Sequence, residues 1–356
     1  MDATKLGFGI RNGRARLGLK FHTIHLDKTA YPLDARLVQV DTARERVDDL
    51  GQVYGISSSI TVSGALATYA WRLVALEPMI GSAVWATKFL FAPAPDPEIF
   101  FPRGTEFLLR VTSPMEVLPN LIQKPLPSLS QSESSSWQSL INDLPTLRIQ
   151  EKSGKDGDRI NIALGGQAEA IVSAFQAAGW VGADHRNASS IAQTYFAIVQ
   201  RRSYLTAPMA PMKFASEMPD LSFQKSLNTF SRRHHIRLWQ VGINSSGTPL
   251  WVGSATEDID IEFSKKSRRW THSIDQEIDN ERTKVLSDLL YTECITNAGL
   301  VNVKPVVIPK VITDGLIAVA HVNACESPRQ MPLRGENPPR VSRFARGLSA
   351  LGKDFV

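Results

Sequence analysis

Residues 113–140 break the chain in two. Ser-Pro and Leu-Pro pairs recur there, and Ser128 to Ser139 is Ser-rich with almost no apolar period. Such a stretch buries little apolar surface and reads as a linker. It rules out one continuous core, and a chain of 356 residues is in any case long enough for two. The division it gives is a β-rich domain over 1–115, a Ser/Pro-rich linker over 116–145, a second domain over 146–325 and a basic tail over 326–356.

The first domain is written in strand period. Leu17, Leu19 and Phe21 alternate with Gly18, Lys20 and His22, and Ala35, Leu37 and Gln39 alternate with Arg36, Val38 and Val40. Turn residues at Asp27 to Pro32 separate the two runs. Val53 to Ile56 is strand-like again, and a Pro-Gly turn at 102–104 feeds a strand over Glu106 to Val111. Between them, Ser59 to Ala92 is strongly apolar. A spanning helix needs about 20 continuous apolar residues, and Arg72, Glu77 and Pro78 interrupt this run. It reads as one or two buried or amphipathic helices, with contact to lipid as the alternative. Met1 to Lys5 has no charged-then-apolar signal layout.

The second domain alternates periods. Arg159 to Leu164 reads as a strand closed by Gly165-Gly166. Ile171, Val172, Phe175 and Ala178 mark a helix over 168–178 that Gly179 stops, and a second helix is expected over about 189–200. The Gly pair at a strand-to-helix junction fits no phosphate-loop pattern and reads as a turn. His234 to Val241 and Leu250 to Thr256 form a hairpin around the Asn244–Gly247 loop, and Ile259, Ile261 and Phe263 suggest a third strand. Ser273 to Gln276 resembles a capping box before a helix striped by Ile278, Val285, Leu286, Leu289 and Leu290. Strands over 301–311 and 316–321 complete an α+β sandwich, with helices on one face of a mainly antiparallel sheet.

Composition narrows the function classes. An apolar fraction of 43% and a charged fraction of 21% describe a folded chain, and the net charge of +5 is spread among interleaved acids and bases. Only the tail is lopsided, and a lone Phe344 among its arginines makes no aromatic series, so nucleic acid is the weakest of the partner classes. Cys294 and Cys325 read as two separate thiols rather than a disulfide framework, with no metal-ligand spacing around them.

The most concentrated chemistry is Ser231 to Trp239. Strand alternation puts His234, Ile236 and Leu238 on a core face, and Arg233, His235, Arg237 and Trp239 on the other. Two guanidinium groups, an imidazole and an indole on one exposed strand face would make an anion platform. The competing reading is structural: Arg237 pairs with Asp258, Asp260 or Glu262 of the next strand. A second cluster, Trp270 to Arg282, holds His272, Asp275, Asp279 and Arg282 at a helix start, where the dipole favours carboxylates whatever the function. Should the two clusters converge, His235 or His272 would act as acid or base, Asp275 or Asp279 would orient it, and Arg233, Arg237, Trp239 and Arg282 would hold the ligand. No metal-ligand motif and no cofactor fingerprint is present.

In order along the chain stand Gly179-Trp180, Tyr204 with Ala207-Pro208, Phe223-Gln224-Lys225, Arg233 to Trp239, Trp251 to Thr256 with Asp258, and His272 to Asp275 with Ile278-Asp279 and Glu281-Arg282. This series resembles the C-terminal domain of the LssY family over roughly residues 145–300. That family is named for a component encoded near a type I secretion system, and many members carry membrane-embedded segments, some similar to lipid-phosphate phosphatases. The resemblance implies a cell-envelope setting, an envelope or secretion partner and no established activity. Gln276 stands where the family pattern has proline, and no multi-span membrane portion is present. The first domain, ending at Phe101 to Thr105, is similar to the β-domain of conjugation and secretion proteins of the TrbI kind. The expectation is therefore an envelope binding module for an anionic group, with hydrolysis of a phosphate ester or similar anion as the alternative.

Overall fold

The computed structural model describes residues 2–9, 14–26, 29–56, 98–101, 105–116, 128–151, 154–183, 197, 204–264, 269–303 and 311–325. The apolar run 59–92, the expected helix at 189–200 except for Ala197, and the basic tail lie outside them.

The strand-period runs near the N-terminus form one antiparallel sheet. Its strands are β1 (Asp2–Gly9), β2 (Arg14–Leu26), β3 (Thr29–Val40), β4 (Arg46–Val47), β5 (Gln52–Tyr54) and β6 (Phe107–Val111). The order is β4-β5-β2-β3-β6, with β1 on β2. Leu19, Leu37, Val40, Ala43 and Val53 make its core, and Leu227 from the second half of the chain inserts among them. Asn228 reinforces the junction by donating to Glu45 Oε2 at 2.8 Å and accepting from the Arg44 N–H at 2.9 Å.

The Ser-rich stretch is not all linker. Residues Gln131–Asn142 form helix α1, started by a capping box between Ser130 and Glu133. Trp137 and Ile141 bury its inner stripe. Ser side chains that favour turns elsewhere are tolerated here because the cap and two apolar anchors hold the helix on the sheet.

After α1 come β7 (Arg148–Glu151), β8 (Asp156–Arg159), β9 (Ile162–Gly165), helix α2 (Ala168–Ala177), β10 (Val181–Gly182) and β11 (Met212–Lys213). Then follow β12 (Leu221–Lys225), β13 (Arg233–Ile243), β14 (Pro249–Ser264), β15 (Arg269–Ile274), helix α3 (Ile278–Tyr291), β16 (Ile295–Asn302) and β17 (Leu316–Val322). The main sheet runs β10-β12-β13-β14-β9-β17-β16 with β15 on β14, and β11-β7-β8 form a small separate sheet. All these pairings are antiparallel except β9 with β17. The third strand read from 259–263 is the continuation of β14, kinked by a register shift at Asp258/Asp260. Of the strand expected over 301–311, Val301 and Asn302 end β16, which begins at Ile295, and residues 304–310 lie outside the described residues. Ser273 lies in β15, so the expected capping box does not form; α3 starts at Ile278 and Asp275 Oδ1 accepts the Glu277 N–H at 3.1 Å.

Both faces of the main sheet are covered. On one, α2 and α3 pack Ile171, Phe175, Val285 and Leu289 against Phe223, Ile236, Leu238 and Ala255. On the other, α1 and the small sheet pack Trp137, Ile149 and Phe214 against Trp239, Val252 and Val319. Helices thus sit on both faces, not one. Each such large side chain contributes roughly 1.5–3 kcal/mol on burial, so this two-sided packing carries the fold. Cys294 and Cys325 are joined in a disulfide, Cα atoms 5.0 Å apart, that ties the start of β16 to the chain beyond β17. The separate-thiol expectation is overturned, because β16 and β17 pair and bring the two ends together.

Candidate functional site

β13 sits between β12 and β14, and its register fixes who meets whom. Arg233 faces Asp258, His235 faces Thr256 and Arg237 faces Ser254 across β14, while Gln224 faces His235 from β12. The side-chain split anticipated from alternation is present: Ile236 and Leu238 lie in the core under α2 and α3, and Trp239 in the core under α1. The face carrying the arginines is not an open platform, however. Arg233, His235, Arg237 and Trp239 are all buried, because the small sheet and the chain around 204–217 roof that face.

The roofed face is organised by Asp258. Its Oδ2 lies 2.7 Å from His235 Nε2 and 3.5 Å from Arg233 Nη2. Arg233 also donates to Gln224 Oε1 at 3.3 Å, and its guanidinium stands 4.3 Å from the centre of the Phe230 ring. Trp239 Nε1 donates to the Glu217 carbonyl at 3.0 Å, with its ring beside Phe214. Arg237 differs from its neighbours. Its Nη2 donates to the Ala210 carbonyl at 3.1 Å, and among the described residues it makes no other hydrogen bond and no ion pair within 4.0 Å. Asp158 and Asp258 act on it only through the field. Beside it, Ser254 Oγ and His235 Nδ1 are buried with no hydrogen-bond partner among the described residues.

Those contacts set the protonation states. Burial pushes the His235 pKa down to about 4; the Asp258 carboxylate opposes this, and the Arg233 and Arg237 charges add to it. The ring is therefore neutral at pH 7, donating from Nε2 to Asp258 and leaving Nδ1 as a bare acceptor. Burial also raises the Asp158 carboxyl, in spite of Arg237, with Asp258 and Glu151 acting in the same direction as burial. Burial lowers Arg237 against the pull of Asp158 and Asp258.

The opposite face of the same strands carries a second cluster that sequence reasoning missed. Lys225, His234 and Glu257 stand in a row across β12, β13 and β14. His234 Nδ1 is 2.6 Å from Glu281 Oε2 on α3, and Nε2 is 3.0 Å from Asp41 Oδ1, just after β3. Lys225 Nζ pairs with Glu106 at 2.6 Å and with Asp288 at 2.9 Å, and Asp288 also accepts from Trp180 Nε1 at 2.8 Å. Lys284 pairs with Asp288 at 2.6 Å and Glu106 at 2.8 Å. Burial works to lower the His234 pKa, but the Glu281 and Asp41 charges outweigh it and hold the ring well above its usual range. Burial likewise works to raise the Asp41 carboxyl, but His234, Lys284 and Lys225 hold it below the carboxylate range. Reading His234 as a core residue overlooked this, since its acids lie 193 and 47 residues away in sequence. An imidazole placed by alternation on an apolar face was the one signal available.

The second sequence cluster does not join the first. His272 is in β15, paired in the ladder with Ile261. Asp275 accepts from the Glu277 N–H and from Asn280 Nδ2 at 3.3 Å. Asp279 accepts from Arg282 Nη1 at 3.1 Å and Thr313 Oγ1 at 2.9 Å. Arg282 grips Asp314 with both terminal nitrogens, at 2.6 and 2.9 Å, and donates to the Leu316 carbonyl at 2.9 Å. Its hydrogen bonds hold Asp314 down at about 2. Among the described residues no hydrogen bond or ion pair links Asp275, Asp279 or Arg282 to His235 or Arg237, because α3 packs on the other side of the sheet.

Residues 141–314 match the family model described as the LssY C-terminus. The match opens in the last turn of α1, so it begins inside the stretch read as linker. Among curated proteins and among solved structures, none matches the chain.

Proposed function

We propose, from the premise that residues 141–314 are a domain of the LssY C-terminus family, that the chain is an envelope-associated binding module that captures an anionic group at Arg237. The observation that carries this reading is the incomplete coordination of that side chain. A guanidinium has five N–H donors, and Arg237 commits one to Ala210. Next to it Ser254 Oγ and His235 Nδ1 lack partners among the described residues, and burial drives Asp158 toward its neutral form. A phosphate or carboxylate would complete these bonds, and a planar fork holds such a group bidentately. Arg233 and Trp239 are committed elsewhere and support the site rather than form it, and Arg282 lies across the sheet, bound to Asp314. The Cys294–Cys325 disulfide favours an oxidising compartment, in keeping with an envelope setting.

Titration calorimetry of the full chain with inorganic phosphate and with acetate tests the proposal. Wild type should bind one of them with a defined stoichiometry. Arg237→Lys should weaken it at least tenfold while the urea midpoint shifts little. Equal affinity in the two proteins, or loss of stability without any binding in wild type, would reduce Arg237 to a structural ion.

A second reading, hydrolysis of a phosphate ester or similar anion, is favoured by the Asp258–His235 pair with its bare Nδ1. An acid-oriented imidazole is what a general base requires. Assays of p-nitrophenyl phosphate and bis(p-nitrophenyl) phosphate, with and without divalent metal, separate the two readings. Turnover abolished by His235→Gln supports hydrolysis, and binding without turnover supports capture.

A further inference from the structure

Across the sheet from Arg237, three ligand atoms from three distant segments converge. Asp41 follows β3 in the N-terminal sheet, His234 is on β13 and Glu257 is on β14. One atom from each lies within 4.8 Å of the others. His234 Nε2 is 3.0 and 3.1 Å from the two Asp41 oxygens, a hydrogen bond whose proton a metal ion would displace to solvent. Donors around a zinc ion at bonds of about 2.0–2.2 Å sit roughly 3.4 Å apart, so the imidazole and Asp41 are close enough to share an ion, and Glu257 has at most about 1.4 Å to close.

Two further observations point to a cation. The other ring nitrogen, Nδ1, is held at 2.6 Å by Glu281, which fixes the ring and aims Nε2 at the shared point, the support that metal-bound histidines ordinarily receive. Glu281 is 2% exposed, and among the described residues its second oxygen, Oε1, has no hydrogen-bond partner; Glu257 Oε1 has none either. The neighbouring cations do not fill the gap. Lys284 is 3.9 Å from Asp41 and engaged with Asp288 and Glu106, and Arg232 reaches Glu257 only at 3.6 Å.

We propose that Asp41, His234 and Glu257 bind one divalent transition-metal ion, with Glu281 positioning the histidine. One imidazole and two carboxylates suit Zn²⁺ or Mn²⁺ better than Mg²⁺ or Ca²⁺, which prefer all-oxygen shells, and better than thiophilic Cu⁺. Because Asp41 comes from the N-terminal sheet and the other ligands from the LssY C-terminal domain, the ion would pin one to the other beside the Leu227 and Asn228 junction. The site is independent of the anion site: it lies on the other face and shares no residue with it.

The test uses the full chain, stripped with chelator and desalted. Calorimetry with ZnCl₂, MnCl₂ and MgCl₂ is paired with metal content after gel filtration and with thermal unfolding. One Zn²⁺ or Mn²⁺ per chain is expected, with a raised melting temperature and weaker binding of Mg²⁺. Asp41→Asn and Glu257→Gln, which keep shape and remove charge, should each weaken binding at least tenfold, and Glu281→Gln roughly tenfold. Circular dichroism of the stripped variants checks folding, and Glu257→Gln decides the matter should Asp41→Asn not fold. Absence of one-to-one Zn²⁺ or Mn²⁺ binding in wild type overturns the proposal. Wild-type affinity in both Asp41→Asn and Glu257→Gln does so too, since the metal would then sit on other histidines.

Discussion

Acidification should unfold this protein partly through one histidine. His235 is 4% exposed and its pKa is depressed to about 4 in the folded chain, against about 6.5 when unfolded. Below the unfolded value, the unfolded chain binds a proton that the folded chain refuses, so stability falls as pH drops through this window. The contribution is complete above about pH 6.5 and gone below about pH 4. Each unit of difference corresponds to about 1.4 kcal/mol, so between about pH 7.5 and about pH 4.5 the loss through His235 is between about 2 and 3 kcal/mol. The physical reason is local. Nε2 already donates to Asp258, and a proton on Nδ1 would be buried with no acceptor beside two guanidinium groups. The assay is urea unfolding followed by tryptophan fluorescence at both pH values, for wild type and His235→Gln. Glutamine keeps a donor for Asp258 but does not titrate, so other acid-sensitive groups cancel in the comparison. Wild type should lose between about 2 and 3 kcal/mol more than the variant. Equal losses would refute the claim that this ring is buried neutral.

Other perturbations probe the frame around the two clusters. Reduction of Cys294–Cys325 opens a loop of 31 residues and should cost about 3–4 kcal/mol in chain entropy, seen as a lower urea midpoint in dithiothreitol. Ser130→Ala removes the α1 cap and should cost about 1 kcal/mol; free hydrogen exchange over 131–142 in wild type would restore the linker reading. A Cβ at Gly166 would stand 2.6 Å from the Val322 carbonyl, so Gly166→Ala should cost about 1–3 kcal/mol in thermal unfolding. Asp288→Ala takes one acid from buried Lys225 and should cost about 3–5 kcal/mol.

Much of the fold was legible because strand alternation is local. The β2, β3 and β13–β14 runs, and the α2 helix stopped by Gly179, follow from period and punctuation alone. Helix α1 was obscured because only Trp137 and Ile141 are buried among its serines, although Ser130 and Glu133 carried the cap signal. The disulfide was hidden by its 31-residue separation, which only the pairing of β16 with β17 closes. On β13, alternation sorted the two faces correctly, with Ile236 and Leu238 in one core and Trp239 in the other. What alternation could not reveal is that both faces are roofed. Polar side chains on a central strand read as exposed until the layer above them is known. The partners that bury them, Asp41, Asp158 and Glu281, come from elements whose meeting is decided by tertiary packing.

The account turns on Arg237 as the point where an anion docks, and diffraction from crystals soaked in tungstate, a heavy analogue of phosphate, tests it most directly. The anomalous map should show a peak within about 3–4 Å of the Arg237 guanidinium nitrogens, near Ser254 and His235. A peak elsewhere, with none at Arg237 in a crystal where that side chain is free of lattice contacts, would contradict it.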